Sequence, residues 1–291
     1  MQKSGQQLRR RIRGVRETAK VTHAMEVVAG ARMRRVAVRA LEARPYSSRL
    51  GELIGALLGD VRMQRQHVLL AGHGSPVTLV VHMTTDKGLC GPLNTRLNQS
   101  LGRYSLEHSD PVRVVTVGRK GRDFVLRNGI DLVADFSRLG DAPSMAELMP
   151  LCRLVIDMFT SGMVGLVYLS YPAFVSTMVQ RPALEQLLPV DTTGTRPHAR
   201  IEFVIDPAAD DLLESLLLRF VEAQVYRAYL ELVASEYSSR MVAMHNATDS
   251  ARELGEELTL ELNRLRQAVV TAEISDVSGG TEALRTGASH G

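Results

Sequence analysis

The chain has no tryptophan, and aromatic residues make up only 4% of its 291 positions. So few rings serve a base-stacking RNA binder or an aromatic-walled sugar site poorly. The two cysteines, Cys90 and Cys152, are too few for a disulfide scaffold or a four-cysteine metal site. They read as small buried side chains of a reducing compartment. No apolar run reaches the ~18 residues of a membrane span. The opening, MQKSGQQLRRRIRG, lacks the apolar core of a signal peptide, so no secretory leader is expected. The eight histidines (His23, His67, His73, His82, His108, His198, His245 and His290) form neither an H-E-x-x-H pair nor a compact ligand group. What is present, 45% hydrophobic and 23% charged residues, suits a folded chain.

Proline is missing before Pro45 and after Pro207. Leu8, Ile12, Val15, Ala19, Thr22, Met25 (or Glu26), Ala29, Met33, Val36 and Ala40 recur at steps of three and four, one narrow stripe along a helix. From about residue 4 to 57 that helix would be roughly 80 Å long. Pro45 is expected to bend or interrupt it, and Gly51, Gly55 and Gly59 to weaken its last turns. At the other end Asp206-Pro207, with Asp210 and Asp211, marks a helix start. Leu213, Leu216, Leu217, Phe220, Val221 and Gln224 begin a seam, and Leu254, Leu258, Leu262, Leu265 and Val269 continue one. A periodic pattern of that length without internal caps predicts a coiled coil. The competing reading is two shorter helices broken near Ala247–Ser250, a break that Asn246, Thr248, Asp249 and Ser250 make possible.

The charge is unevenly placed. Residues 1–49 carry 13 Lys or Arg against three acids, while residues 210–291 carry 7 Arg against 14 acids. The formal net charge of +3 conceals a start of +10 and an end of −7. A basic helix alone would fit nucleic acid. An acidic helix in the same chain offers another partner, so antiparallel pairing of the two ends is predicted, with Glu–Arg contacts along its rim setting register more than stability. The C-terminal helix is the longer, and an apolar end left without a partner is a candidate insertion into another protein.

The middle alternates. Val77–Met83, Val112–Val117 and Val164–Leu169 read as strands, with helices near 92–106, 119–128 and 144–161 between them. That order implies a mostly parallel sheet covered by helices. Arg200–Ile205 and part of Ser176–Leu187 are further strand candidates, and Pro189–Pro197 is a turn-rich connection. The segment Thr84–Asn94 follows the first strand and opens a helix, where a ligand loop belongs, but fits neither G-x-G-x-x-G nor G-x-x-x-x-G-K-[ST]. Its glycines, Gly88 and Gly91, suit a tight backbone turn, and Asp86 and Asn94 are placed to cap the next helix or brace the loop. Cys90 and His82 make a thiol–imidazole pair only by nearness in sequence, with no third member.

Several stretches carry a resemblance. Thr22–Arg35, Ala43-Arg-Pro-Tyr46, the loop Asp86–Gly91, Met241–Asp249, Leu258–Ala268 and Val270–Asp276 resemble, in order and across essentially the whole chain, the gamma subunit of F-type ATP synthase. The resemblance implies the central rotor shaft of that motor. The fold expected is α/β: a long antiparallel coiled coil from the N- and C-terminal helices flanking a central Rossmann-like, mostly parallel α/β domain. The implied divisions are 1–58 and 209–286 for the coiled-coil helices, 70–208 for the domain and 287–291 for a flexible tail. The implied function couples ion flow through a membrane ring to ATP synthesis or hydrolysis. Catalysis lies on the alpha and beta subunits, so this chain is expected to be no enzyme by itself and to bind no cofactor or metal. ATP, ADP and Mg belong to the partners.

The implied partners are alpha, beta, epsilon and the c ring, with delta in the wider complex, one copy of this chain per complex, and no nucleic acid. The implied location is the cytoplasmic face of a bacterial inner membrane, a leaning shared by 31 Arg against 4 Lys. Carried over residue by residue, the coupling contacts to beta are Met25, Arg32, Arg34 and Arg35, with Arg266, Gln267, Thr271 and Glu273. Val277, Gly280 and Leu284 fall in the upper bearing, and Asp86, Gly88 and Gly91 in a structural loop. The sequence departs from the family pattern at His23 (usually Lys), Gly30 (commonly Ala), Pro92 (a second Gly), Leu262 (an aromatic) and Gly279 with Thr281 (Ala). An adaptor without rotary function and a nucleotide-dependent α/β enzyme are the alternatives.

Overall fold

The computed structural model describes residues 2–57, 67–141, 143–190 and 209–287. In chain order the elements are α1 (Gln2–Leu57), α2 (Val68–Ala71), β1 (Thr78–Met83), α3 (Leu93–Glu107), β2 (Val112–Val117), α4 (Arg119–Arg127), β3 (Asp131–Phe136), α5 (Met145–Thr160), β4 (Leu166–Phe174), β5 (Gln180–Leu188) and α6 (Ala209–Gly287). They fall into two compact units, residues 28–242 and residues 1–27 with 243–291.

The first unit is built on a five-stranded sheet of order β3-β2-β1-β4-β5, parallel except for β5, which pairs antiparallel with β4. Alternation along the strands decides its layers. Leu79, Val81 and Met83, with Val115, Val117, Leu169 and Tyr171, join Leu148, Val155 and Phe159 of α5 and Leu217, Val221 and Val225 of α6 in one buried cluster. Val80 and Val114 turn the other way, to Leu101 of α3 and Val125 of α4. Each such side chain contributes roughly 1.5–3 kcal/mol on burial. At the start of α5, the Ser144 backbone N–H donates to the Glu147 carboxylate at 2.7 Å. Gly118 is required where β2 turns into α4: its φ is +92°, and a Cβ there would lie 2.1 Å from the Thr84 carbonyl oxygen.

The stripe on α1 faces inward as its period predicts. Ala29, Val36 and Ala40 are buried in this unit, and Met33 is half-buried. Of the bend or interruption expected at Pro45, the interruption does not occur: α1 is helical on both sides of it, and Leu50 and Ile54 are buried beyond it. A proline removes one hydrogen bond, and continued burial of the same helix face offsets the loss. The strand β3 has no counterpart in the sequence reading. It is an edge strand, half-exposed, with Asp131 and Asp135 breaking its apolar alternation. The 176–187 candidate is β5, whereas Arg200–Ile205 and most of Pro189–Pro197 lie outside the described residues.

The second unit is an antiparallel pair of helical segments. Its register is read from Gly5 against Leu265, Val15 against Gly255, Thr22 against Thr248 and Glu26 against His245. Leu8, Ile12 and Leu258 form its small core, with Val15, Leu262 and Leu265 against it. Leu254, expected in the seam, is 40% exposed, and Gly255 is buried in its place. The helix runs through 246–250 without a break. There the Thr248 hydroxyl hydrogen-bonds the Met244 carbonyl and the Thr22 hydroxyl, both at 2.8 Å, so one of the polar residues that read as a break is satisfied within the pair. Among the described residues, the ion pair that crosses between these two segments is Glu26–His245, not a Glu–Arg pair.

Candidate functional site

In an open α/β sheet a ligand enters at the carboxyl ends of the strands, where the strand order reverses. Here that point lies between β1 and β4. The crevice is filled by α6. The Ser235 hydroxyl donates to the Pro172 carbonyl at 3.0 Å, and the Phe174 N–H donates to the Glu231 carboxylate at 3.0 Å, both at the end of β4. Across the crevice, in the loop after β1, the Ser239 hydroxyl donates to the Cys90 carbonyl at 2.6 Å, and Arg240 donates to the Gly88 carbonyl at 3.1 Å. From Ala228 to Arg240 every α6 residue is buried or half-buried. A cleft of about 20 Å³ remains, edged by Pro92, Arg96, Pro172 and Ser239. That is below the roughly 300–1,000 Å³ of small-molecule pockets.

The loop after β1 is braced from every side. Asp86 accepts the backbone N–H of Arg119 at 3.0 Å and of Arg138 at 2.9 Å, tying together the turns that follow three strands. It therefore braces neighbouring turns and does not cap the helix after its own loop. Asn94 accepts from the Thr85 N–H at 3.1 Å and donates to the Thr85 hydroxyl at 2.8 Å. Gly91 takes φ +56°, and Leu89, with a side chain, takes +62°.

The side chains that could do chemistry are committed elsewhere. His82 is fully buried and bonds to Ser170 Oγ at 2.9 Å and Asn98 Oδ1 at 3.0 Å, not to Cys90. Burial pushes its imidazole down to about 4, against a weaker upward pull from Asn98. The Cys90 thiol is pushed up by burial and bonded by Asn94 at 3.2 Å, and the Cys152 thiol is pushed up to about 12 by burial. Both are thus held as thiols, the unreactive form. Among the described residues no three His, Cys, Asp or Glu are grouped to hold a metal ion, and no helix is long and apolar enough to cross a membrane.

The residues carried over as coupling contacts do not form one cluster. Met25 is half-buried in the helix pair, while Arg266, Gln267 and Thr271 are exposed on α6. By the register above, Met25 lies near residue 245 and Arg266 near residue 5, about 30 Å apart along the pair. Val270 and Ile274, on the same stretch of α6, are 52% and 64% exposed. In the other unit Arg34 and Arg35 are exposed, but Arg32 is engaged within the chain: it donates to Asp141 at 2.8 Å and to the Tyr237 hydroxyl at 3.0 Å. The side chains of Glu273, Val277, Gly280 and Leu284 lie outside the described residues.

A two-helix unit and a sheet whose ligand crevice is closed by its own helix correspond to known proteins. The family model described as ATP synthase matches residues 4–284. An ATP synthase gamma chain of Dehalococcoides mccartyi is 44% identical over 278 residues, which cover 95% of this chain and 98% of that one. One of Roseiflexus castenholzii is 41% identical over 286 residues, covering 97% and 98%. The chain belongs to the ATP synthase gamma-chain family. Its fold is also that of a chain in the Euglena gracilis mitochondrial ATP synthase (OSCP/F1/c-ring, rotational state 3), with a TM-score of 0.68 at 18% identity over 100% of this chain and 98% of that one. A chain of the Tetrahymena thermophila central stalk/c-ring gives 0.64 at 24% identity over 78% and 99%.

Within this gamma-family chain several departures have local reasons. Gly30 does more than loosen α1, because a Cβ there would lie 3.1 Å from the Met241 sulfur. Pro92 sits just before α3, where no backbone N–H is needed. His23 bonds Glu26 at 3.2 Å, and His245 reaches the other oxygen of that carboxylate at 3.0 Å. The hydrogen bond from His23 is the largest influence holding Glu26 below the usual carboxylate range, with His245 adding to it against burial. Sequence reasoning missed Glu231, Ser235, Ser239 and Arg240. The available signal was a run of residues, 228–240, too apolar on all sides for a solvated helix yet carrying serines and charges.

Proposed function

We propose that this gamma-family chain is the central-stalk rotor subunit of an F-type ATP synthase or ATPase. Ion flow through a membrane ring turns it, and its turning drives ATP synthesis or hydrolysis at sites on alpha and beta. It catalyses nothing alone and binds no cofactor, since ATP, ADP and Mg sit on alpha and beta. It is held by epsilon and the c ring, with delta in the wider complex, one copy per complex. It works as a peripheral protein on the cytoplasmic face of a bacterial inner membrane.

The observation that carries this reading is a set of exposed residues on α6: Arg266, Gln267, Val270, Thr271 and Ile274. There Val270 and Ile274 offer apolar surface beside Arg266, Gln267 and Thr271. Apolar area next to a forked cation and an amide suits a partner surface with carboxylates. The sealed crevice argues against the nucleotide-dependent enzyme, because the serines and the arginine that would meet a ligand are spent on main-chain atoms of the sheet.

Arg266→Ala with Gln267→Ala is expected to leave assembly with alpha and beta intact while lowering torque and coupled ATPase activity several-fold, each lost charge-assisted contact being worth about 1.5–3 kcal/mol. Unchanged torque and coupling in the reconstituted complex would remove these residues from the contact.

A further inference from the structure

The filled crevice has a mechanical consequence. Glu231, Ser235 and Ser239 are spaced by four residues, so they lie on one face of α6, with Arg240 beside them. Their partners are the Phe174 N–H and the Pro172, Cys90 and Gly88 carbonyls, all main-chain atoms. Two belong to the end of β4 and two to the loop after β1, so the helix is held from both sides of the point where the strand order reverses.

Apolar packing is non-directional and by itself favours no one angle as a helix rolls or slides. Hydrogen bonds to fixed backbone atoms weaken steeply with angle, so they resist both motions. The loop that supplies two of the acceptors is itself tied down by Asp86 and Asn94. Arg240 is steadied in turn by Glu236 at 2.7 Å and lies over the Tyr237 ring, 5.7 Å from its centroid.

We propose that this crevice is a torque joint: Glu231, Ser235, Ser239 and Arg240 are positioning residues that transmit twist between the α/β sheet and α6. The inference rests on the rotor reading above. It assigns to the ligand crevice of an open sheet a mechanical role in place of a binding one.

The test uses the complex reconstituted with alpha and beta subunits. Cys90 and Cys152 are buried, so a cysteine placed at Leu106, which is 89% exposed on the α/β unit, gives a single labelling point for a bead. The angular variance of the bead during nucleotide-waiting dwells reports torsional compliance. Ser235→Ala with Ser239→Ala is expected to raise that variance at least twofold, with low-load ATP turnover unchanged. Ser239→Ala alone, a milder change, should raise it by a smaller, measurable amount, and Ser239→Thr, which keeps the hydroxyl, should restore it. Val125→Ala, which thins the core on the far face of the sheet, should lower thermal stability without changing the variance. Unchanged variance in the serine variants, or an equal rise with Val125→Ala, would overturn the joint and leave the bonds as ordinary fold stabilisers. A parental complex that assembles but does not rotate would overturn the rotor reading itself.

Discussion

Arg227→Met is expected to destabilise the α/β unit by about 3–5 kcal/mol, the cost of breaking a buried ion pair from one side. Arg227 reaches from α6 to three groups. It donates to Glu231 at 3.2 Å and to the Tyr171 hydroxyl at 2.9 Å, and it pairs with Glu185 of β5. Burial works against its charge, but Tyr171, Glu185 and Glu231 outweigh burial and hold the guanidinium charged. The Glu231 side chain is only 2% exposed. Removing Arg227 strips a cation from a carboxylate that water cannot reach. Arg227→Met with Glu231→Gln should recover much of the loss, since the glutamine carbonyl still accepts the Phe174 N–H. The measurement is a double-mutant cycle by urea unfolding. Additive losses, with no coupling above ~0.5 kcal/mol, would show that the two residues act independently.

The second large effect depends on pH. His82 titrates near 4 in the folded chain, against about 6.5 in an unfolded one. Between those values the unfolded chain binds a proton that the fold refuses, so stability falls as pH drops from about 6.5 toward 4. By this group alone the loss approaches about 3 kcal/mol. Below pH 4 and above pH 7 His82 adds no further slope. Its surroundings hold the neutral form, with Nε2–H toward Asn98 Oδ1 and Nδ1 accepting from Ser170. His82→Gln keeps both hydrogen-bonding capacities without the titration. Its unfolding free energy should decline markedly less than that of the parent between pH 7 and pH 4.5. Equal declines would mean that His82 is already protonated in the fold or exposed to water.

The two helices and most of the sheet were legible because each is written as a period. The three- and four-residue stripe on α1 is buried or half-buried at every member from Leu8 to Ala40. The β-branched runs at 78–83 and 112–117 are strands. Edges and breaks were less legible. Asp131 and Asp135 belong to a strand because Arg113 and Thr116 of the neighbouring strand receive them. Pro45 and Asn246–Ser250 look like stops only when local propensity is read without the packing that overrides it. The complementary charges of the two ends misled in detail. The arginines at 9, 10, 11, 13 and 16 are exposed, and among the described residues the carboxylate that meets a basic side chain across the pair is Glu26, with His245. The crevice was least legible of all. Ser239 and Arg240 carry no periodic signal of their own, and only the fold sets them against main-chain atoms 149 and 152 residues away in sequence.

The central claim is that this chain turns within its complex. The most direct measurement combines it with alpha and beta subunits, fixes the ring to a surface, and follows a probe on the exposed Leu106→Cys position during ATP hydrolysis. The account predicts co-assembly with one copy of the chain and unidirectional, stepwise rotation of the probe that stops when ATP is withdrawn. Failure to assemble, or sustained hydrolysis by the assembled complex with the probe at rest, would contradict it.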